Sequence, residues 1–244
     1  MNDLQQEAYY RSIQQEAVKH YYENTPISTW EKVFDSDLNY HFGDAISRNS
    51  EVFKSAKTIL DVGCGWGGTA RRLIKEYNAV VEGVTNSKIQ QEYIQKRDGY
   101  KVYLADANEY IASKEYDMAI FFQSFTHMKD ESLINVSKNV NKIFINDFVN
   151  ATGPTQYVIP WSMIMRSVEE YEKLFDKIGF KLNIFNSQPR DIYIPNSKFW
   201  LKNIKKLSAD ELTPEITVLR DLCQRNLLES LPFSQVVDIY AERK

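Results

Sequence analysis

From position 58 to 69 the chain reads Thr-Ile-Leu-Asp-Val-Gly-Cys-Gly-Trp-Gly-Gly-Thr: an apolar run, an acid and a glycine-rich turn. Gly63, Gly65 and Gly68 have the spacing G-x-G-x-x-G. That spacing permits a sharp turn, close approach of a ligand to the main chain around Cys64, and tight packing of helix on strand. The pattern alone serves more than one ligand class, and Asp61 narrows it. A carboxylate at the mouth of the turn repels a phosphate and attracts a cation such as an amino group or a sulfonium.

Further candidates follow from where the strands end. In an open α/β sheet, ligands lie in the crevice outside the carboxyl ends of the strands. Thr85 and Asn86, Asp106 and Ala107, Gln123 and Ser124, and Asp147 all end runs that read as strands. Thr85 equally suits a β-branched strand end, and Asp106 a helix N-cap. His127 lies just beyond Gln123 and Ser124 and titrates near neutrality, so it is a candidate base; the alternative is a capping or packing histidine. His41, in the polar-aromatic segment 38–43, is the second candidate base, against a buried histidine capping a turn. The histidines at 20, 41 and 127 lack ligand-type spacing, so no metal is expected. Neither a G-x-S-x-G elbow nor a P-loop occurs.

The elements that position these residues alternate from 57 onward, which predicts a parallel sheet with right-handed crossovers. Strands are expected at 58–62, 79–85, 101–105, 116–122, 140–149, 180–185 and 234–241. Helices are expected over 67–77, from Ser87 with Ile89, Tyr93 and Ile94 inward, and from a capping box at Ser167 to Gly179. Ser208 opens a second capping box, followed by a helical region over 218–228. Ahead of the sheet, apolar spacing predicts an amphipathic helix over 3–22 and another near 44–55. Residues 1–56 read as a helical lid and 57–244 as the core, with cap insertions near 150–165 and 190–230. Trp161, Met163, Met165 and Trp200 fall in the cap, either lining a pocket or forming core.

At 244 residues the chain suits one large α/β domain with a cap. Its 30 basic and 33 acidic residues give a charge of -3, which offers no electrostatic reason for nucleic acid binding. Cys64 and Cys223 form neither a disulfide framework nor a metal set. No run of 18 apolar residues and no leader-like start is seen, so a cytoplasmic protein off the membrane is expected, with a homodimer left open.

With its strand–Asp-x-Gly-x-Gly motif and the succession of βα units, the chain resembles the class I S-adenosylmethionine-dependent methyltransferases. Gly63-Cys64-Gly65-Trp66-Gly67-Gly68 and Gly83-Val84-Thr85-Asn86-Ser87 are similar to the branch of cyclopropane-fatty-acid-synthase-like and natural-product enzymes. The resemblance implies a Rossmann-like, doubly wound, seven-stranded and mostly parallel sheet whose last strand is antiparallel, under a helical cap. It implies S-adenosylmethionine as cofactor, with Asp61 serving its ammonium end. It further implies Thr85, Asn86 and Gln90 near the ribose, Asp106 and Ala107 on the adenine, and Gln123 and Ser124 beside them. The segment Tyr40-His41-Phe42-Gly43 would close the site, and Asp147 would assist His127. The acceptor would be a small metabolite of secondary metabolism, methylated on oxygen, nitrogen or carbon. One departure is Ser137-Lys138-Asn139-Val140-Asn141, where the family shows a Pro-Gly-Gly turn. Two other readings stand beside this one: a nicotinamide-dependent oxidoreductase, against which Asp61 counts, and a non-catalytic protein with a relic cofactor site.

Overall fold

The computed structural model describes residues 24–34, 37–39, 41, 43–150, 153–158, 163–187, 194–227 and 234–244. The helix expected over 3–22, Tyr40 and Trp161 lie outside them.

Helix α1 (Ile27–Val33) leads to two short helices, α2 (Ala45–Arg48) and α3 (Ser50–Lys54), rather than one over 44–55. The break falls at Asn49, whose side chain turns back to Ala45 O at 2.9 Å and inward to Asp238 at 2.9 Å. Strand and helix then alternate: β1 (Thr58–Val62), α4 (Gly68–Tyr77), β2 (Val80–Thr85), α5 (Lys88–Arg97), β3 (Val102–Leu104), β4 (Tyr116–Phe122), α6 (Asp130–Ser137) and β5 (Val140–Asn150). A two-stranded hairpin, β6 (Gln156–Val158) and β7 (Met163–Met165), precedes α7 (Val168–Lys177) and β8 (Phe180–Ser187). Helices α8 (Ile194–Ile204) and α9 (Pro214–Leu227) come before the final strand β9 (Ser234–Arg243).

Seven strands form one sheet in the order β3-β2-β1-β4-β5-β9-β8. The first five pair in parallel, and β9 inserts antiparallel between β5 and β8. This is the Rossmann-like topology expected. Because successive side chains point to opposite faces, each central strand feeds two cores. Leu60, Val62, Phe121 and Ile145 join Phe125, Tyr171 and Phe175 on one face. Ile59, Ile120, Phe122 and Phe144 join Phe53, Ala70 and Leu73 on the other.

A third cluster covers the strand ends. Trp30 and Phe34 from the N-terminal side pack with Trp200, Leu201 and Ile204 of α8 and Ile216 and Leu219 of α9. Phe34 meets Trp200 edge-on at 5.2 Å between ring centroids. Met163, Met165 and Trp200 are buried in this cluster, so they form core and do not line the crevice described below. Trp66 and Phe148 join the cluster from the sheet side.

Two local expectations change. Ile89 is 43% exposed, and α5 buries Gln90 and Ile94 instead. Ser208 does make a reciprocal capping box, but it closes a single 3-10 turn over Ala209–Glu211. The helix begins at Pro214, whose fixed φ and missing N–H suit a first helical position, with the Thr213 hydroxyl accepting from Ile216 N–H. Where Pro-Gly-Gly was absent, Arg243 satisfies the carbonyls of Ser137 and Val140, and the Asn139 side chain donates to Ala112 O.

Candidate functional site

The carboxyl ends of β1, β2, β3 and β4 open on a crevice of about 940 Å³, measured to its mouth. Asp61, Gly63, Cys64, Gly65, Thr85, Asn86, Gln90, Asp106, Ala107, Gln123, Ser124, His41 and His127 all line it.

The glycine turn shows why each glycine is there. Gly63 has φ +77°, and a Cβ on it would stand 2.6 Å from Ser124 Cβ. Gly65 has φ +52° with open space around it, leaving backbone bare at the crevice. Gly68 differs from the sequence reading. A Cβ there would meet not a strand but the segment 37–39, at 2.9 Å from Asp37 O and 3.0 Å from Leu38 O. The third glycine therefore admits the N-terminal segment onto α4. Arg71 holds the same segment by donating to Asp37 O.

The loop is also poorly suited to a phosphate. The N–H groups of Gly63 and Cys64 both donate to Val84 O, at 2.9 and 3.0 Å, and that of Gly67 donates to Cys64 O at 2.9 Å. These donors are not available to an anion, as a phosphate cradle requires.

Asp61 sits beside that loop at 1% exposure, and its Oδ2 has no hydrogen-bond partner. Burial pushes its pKa up to about 7. A buried carboxylate oxygen without a partner is a costly arrangement, and a cation supplied to it would restore the ionised form.

At the end of β2, Thr85 Oγ1 donates to Gln90 Oε1 at 2.7 Å and accepts from Ser87 N–H at 3.2 Å. The hydroxyl is thereby used internally. What remains for a ligand is Gln90 Nε2, a buried donor with no partner. After β3, Asp106 Oδ1 accepts from the backbone and side-chain N–H groups of Asn108, both at 2.9 Å, so it does cap a turn. Asn108 lines the crevice too, and its Oδ1 accepts from Lys129 N–H at 2.7 Å.

At the end of β4, Gln123 takes a left-handed backbone, φ +49°, rare for a residue with a Cβ and typical of functional sites. It is held by Asn146: Gln123 N–H donates to Asn146 O at 2.7 Å, and Nε2 to Asn146 Oδ1 at 3.1 Å. Asn146 in turn donates to Asp238, which is paired with Arg48. Ser124 Oγ donates to Val62 O at 2.7 Å, tying β4 to β1.

His127 ends the 3-10 turn Phe125–His127 and faces the crevice. His41 reaches it from the N-terminal side, with Nε2 3.1 Å from Thr69 Oγ1 and its ring 5.4 Å from that of Phe122.

Asp147 is a correction. It does not line the crevice and is fully buried. Its carboxylate accepts from Thr126 N–H at 2.9 Å, Thr126 Oγ1 at 3.0 Å and Phe148 N–H at 2.9 Å. Burial raises its pKa to about 6, against those hydrogen bonds and the nearby Arg166 charge. The misplacement arises because β5 runs on to Asn150, so Asp147 is inside the strand and not at its end.

Sequence reasoning missed Thr69, Asn108 and Trp66, which also line the crevice. Each is one or two residues past a position that was singled out, so widening the strand-end rule would have found them. Among the described residues, no three His, Cys, Asp or Glu side chains converge as a metal set.

Residues 44–151 match the family model for mycolic acid cyclopropane synthetase. A (S)-tetrahydroprotoberberine N-methyltransferase from Eschscholzia californica is 34% identical over 87 residues, 33% of this chain. That match spans a quarter of the relative's own length. Among solved structures, the cyclopropane synthase MmaA2 from Mycobacterium tuberculosis superposes with TM-score 0.75 at 16% identity, covering 92% of this chain and 97% of that one. Coclaurine N-methyltransferase bound to N-methylheliamine and SAH superposes with TM-score 0.77 at 18% identity, covering 99% and 89%. The resemblance to class I methyltransferases of the cyclopropane-synthase-like branch, and the fold it implied, are found again in both comparisons.

Proposed function

We propose that this chain is an S-adenosylmethionine-dependent methyltransferase acting on a small metabolite. The observation that carries the proposal is Asp61: a buried carboxylate with an unpartnered oxygen, beside a glycine turn whose N–H groups are already used. That combination suits a cationic ligand and not a pyrophosphate. The relatives point the same way, since every curated relative and solved structure cited above is named for methyl or cyclopropane chemistry or carries SAH.

The residues fit the cofactor along its length. Asp61 offers an acceptor to the ammonium end, and Gln90 Nε2 a donor near the ribose. Asp106 and Asn108 lie where the adenine would be held. When bound, the cofactor supplies a methyl group on a sulfonium, which leaves as a neutral thioether and needs no acid. The protein's work is then to orient the acceptor and exclude water. Gln123, His41 and His127 lie together at the acceptor end. If the acceptor carries a proton that must leave, His127 or His41 takes it. We place the acceptor among small metabolites of secondary metabolism, methylated on oxygen, nitrogen or carbon. We take the chain to work in the cytoplasm, as monomer or homodimer, without nucleic acid or membrane. Residues 1–56 and the segments near 150–165 and 190–230 serve as lid and cap in this reading.

The test is titration calorimetry with S-adenosylmethionine, S-adenosylhomocysteine and NADH. Binding of the first two alone is expected. NADH binding alone would move the protein to redox chemistry, and no binding of any would leave a relic site.

A further inference from the structure

We propose that Arg166 is a positioning residue for His127, and that it ties the β6–β7 hairpin to the turn on which that histidine sits. The inference rests on the reading of His127 as a residue of the acceptor end.

Arg166 directly follows β7 and is only 4% exposed. Guanidinium groups are seldom buried so fully without a specific task. All its printed side-chain contacts go to one small region. One terminal nitrogen donates to Phe125 O at 3.1 Å and the other to Met128 O at 2.7 Å. Nε donates to Asp130 Oδ1 at 2.9 Å, and the guanidinium carbon lies 3.9 Å from the centre of the Phe125 ring. Phe125 opens the 3-10 turn and Met128 follows its last residue, His127. The planar fork therefore spans both ends of the turn at once, which a single ammonium cannot do.

The turn is held on its other side as well. Asp147 accepts from Thr126 N–H and Thr126 Oγ1, while the backbone N–H of His127 donates to Ser124 O at 3.0 Å. The residue before His127 is thus fixed by β5, and the residue after it by Arg166. Arg166 is itself anchored, its carbonyl accepting from Asn150 N–H at 2.9 Å, and the next residue, Ser167, donates to Thr155 Oγ1 at 3.1 Å. A shift of the hairpin consequently reaches the His127 turn through one side chain.

Three histidines make the test simple: a proton–carbon spectrum shows three ring Cε1–H signals, and His127→Ala identifies one. Arg166→Met and Arg166→Lys are compared with the wild type at one fixed pH. In both variants the His127 signal is expected to move or split, while the His41 signal keeps its place. S-adenosylhomocysteine affinity is expected to stay within about two-fold, because no cofactor-end residue is touched. A wild-type His127 signal in Arg166→Lys would mean that charge alone matters, and would overturn the proposal. An unmoved signal in a folded Arg166→Met would overturn it equally. Should Arg166→Met fail to fold, the lysine variant decides, since it keeps the charge and a donor. Failure of the wild type to bind S-adenosylhomocysteine would strike the functional reading, while the spectra would still report on the turn.

Discussion

Burying Asp61 without a partner for Oδ2 has a consequence for the ligand-free protein. Its pKa rises from the ordinary 3.8 to about 7. Between those values the folded protein holds a proton that the unfolded chain has released, so stability falls as pH rises through that window. Asp61→Asn removes the effect while keeping the shape. The ligand-free variant is expected to melt above the wild type at about pH 8, with the gap closing near about pH 4. Asp147 shifts in the same direction but is present in both proteins, so it cancels. Thermal melts across that range check the point, and a gap independent of pH would contradict it. At this scale much was legible in the sequence. Asp61, Gln123, Ser124, His127 and His41 were found from strand ends and one loop. Asp147 was misread because composition does not say how far a strand runs, and β5 continues three residues beyond it.

The glycine turn and the segment before α2 act as one element. Leu38, with φ +53°, packs its carbonyl on Gly68, while its side chain lines the crevice. Thr69, the next residue, meets His41. A methyl group at 68 would have to push backbone atoms of Asp37 and Leu38 aside. Gly68→Ala is therefore expected to keep the sheet, by circular dichroism, yet to weaken S-adenosylhomocysteine binding about ten-fold or more. Unchanged affinity would show that the segment is not part of the site. From the sequence the third glycine looked like a helix–strand packing residue. Its actual neighbour is 30 positions away in the chain, which no local spacing reports.

At the scale of the molecule, alternating strands and helices told of the sheet before the structure did. The antiparallel insertion of β9 came from the resemblance, since periodicity says nothing of strand order. The cap was the least legible part. Its core joins Trp30 and Phe34 to Trp200, Ile204 and Ile216, which lie more than 160 residues later in the chain. Trp200 is 1% exposed at the centre of this cluster. Trp200→Ala is expected to cost about 3–5 kcal/mol in denaturant unfolding, as for other buried tryptophans. A loss below about 1 kcal/mol would mean that the cap folds without this shared core.

The central claim is that Asp61 reads the positive charge of the ligand. It is tested most directly by two ligands and one substitution. S-adenosylhomocysteine carries the ammonium group, and 5′-methylthioadenosine lacks it while keeping the adenosine and the sulfur. Calorimetry with wild type and Asp61→Asn is expected to show an affinity loss of about 10- to 100-fold for the first, the worth of a charged hydrogen bond. Affinity for the second should be the same in both proteins. Equal losses for the two ligands, or none for either, would contradict the assignment of Asp61 to the charged end.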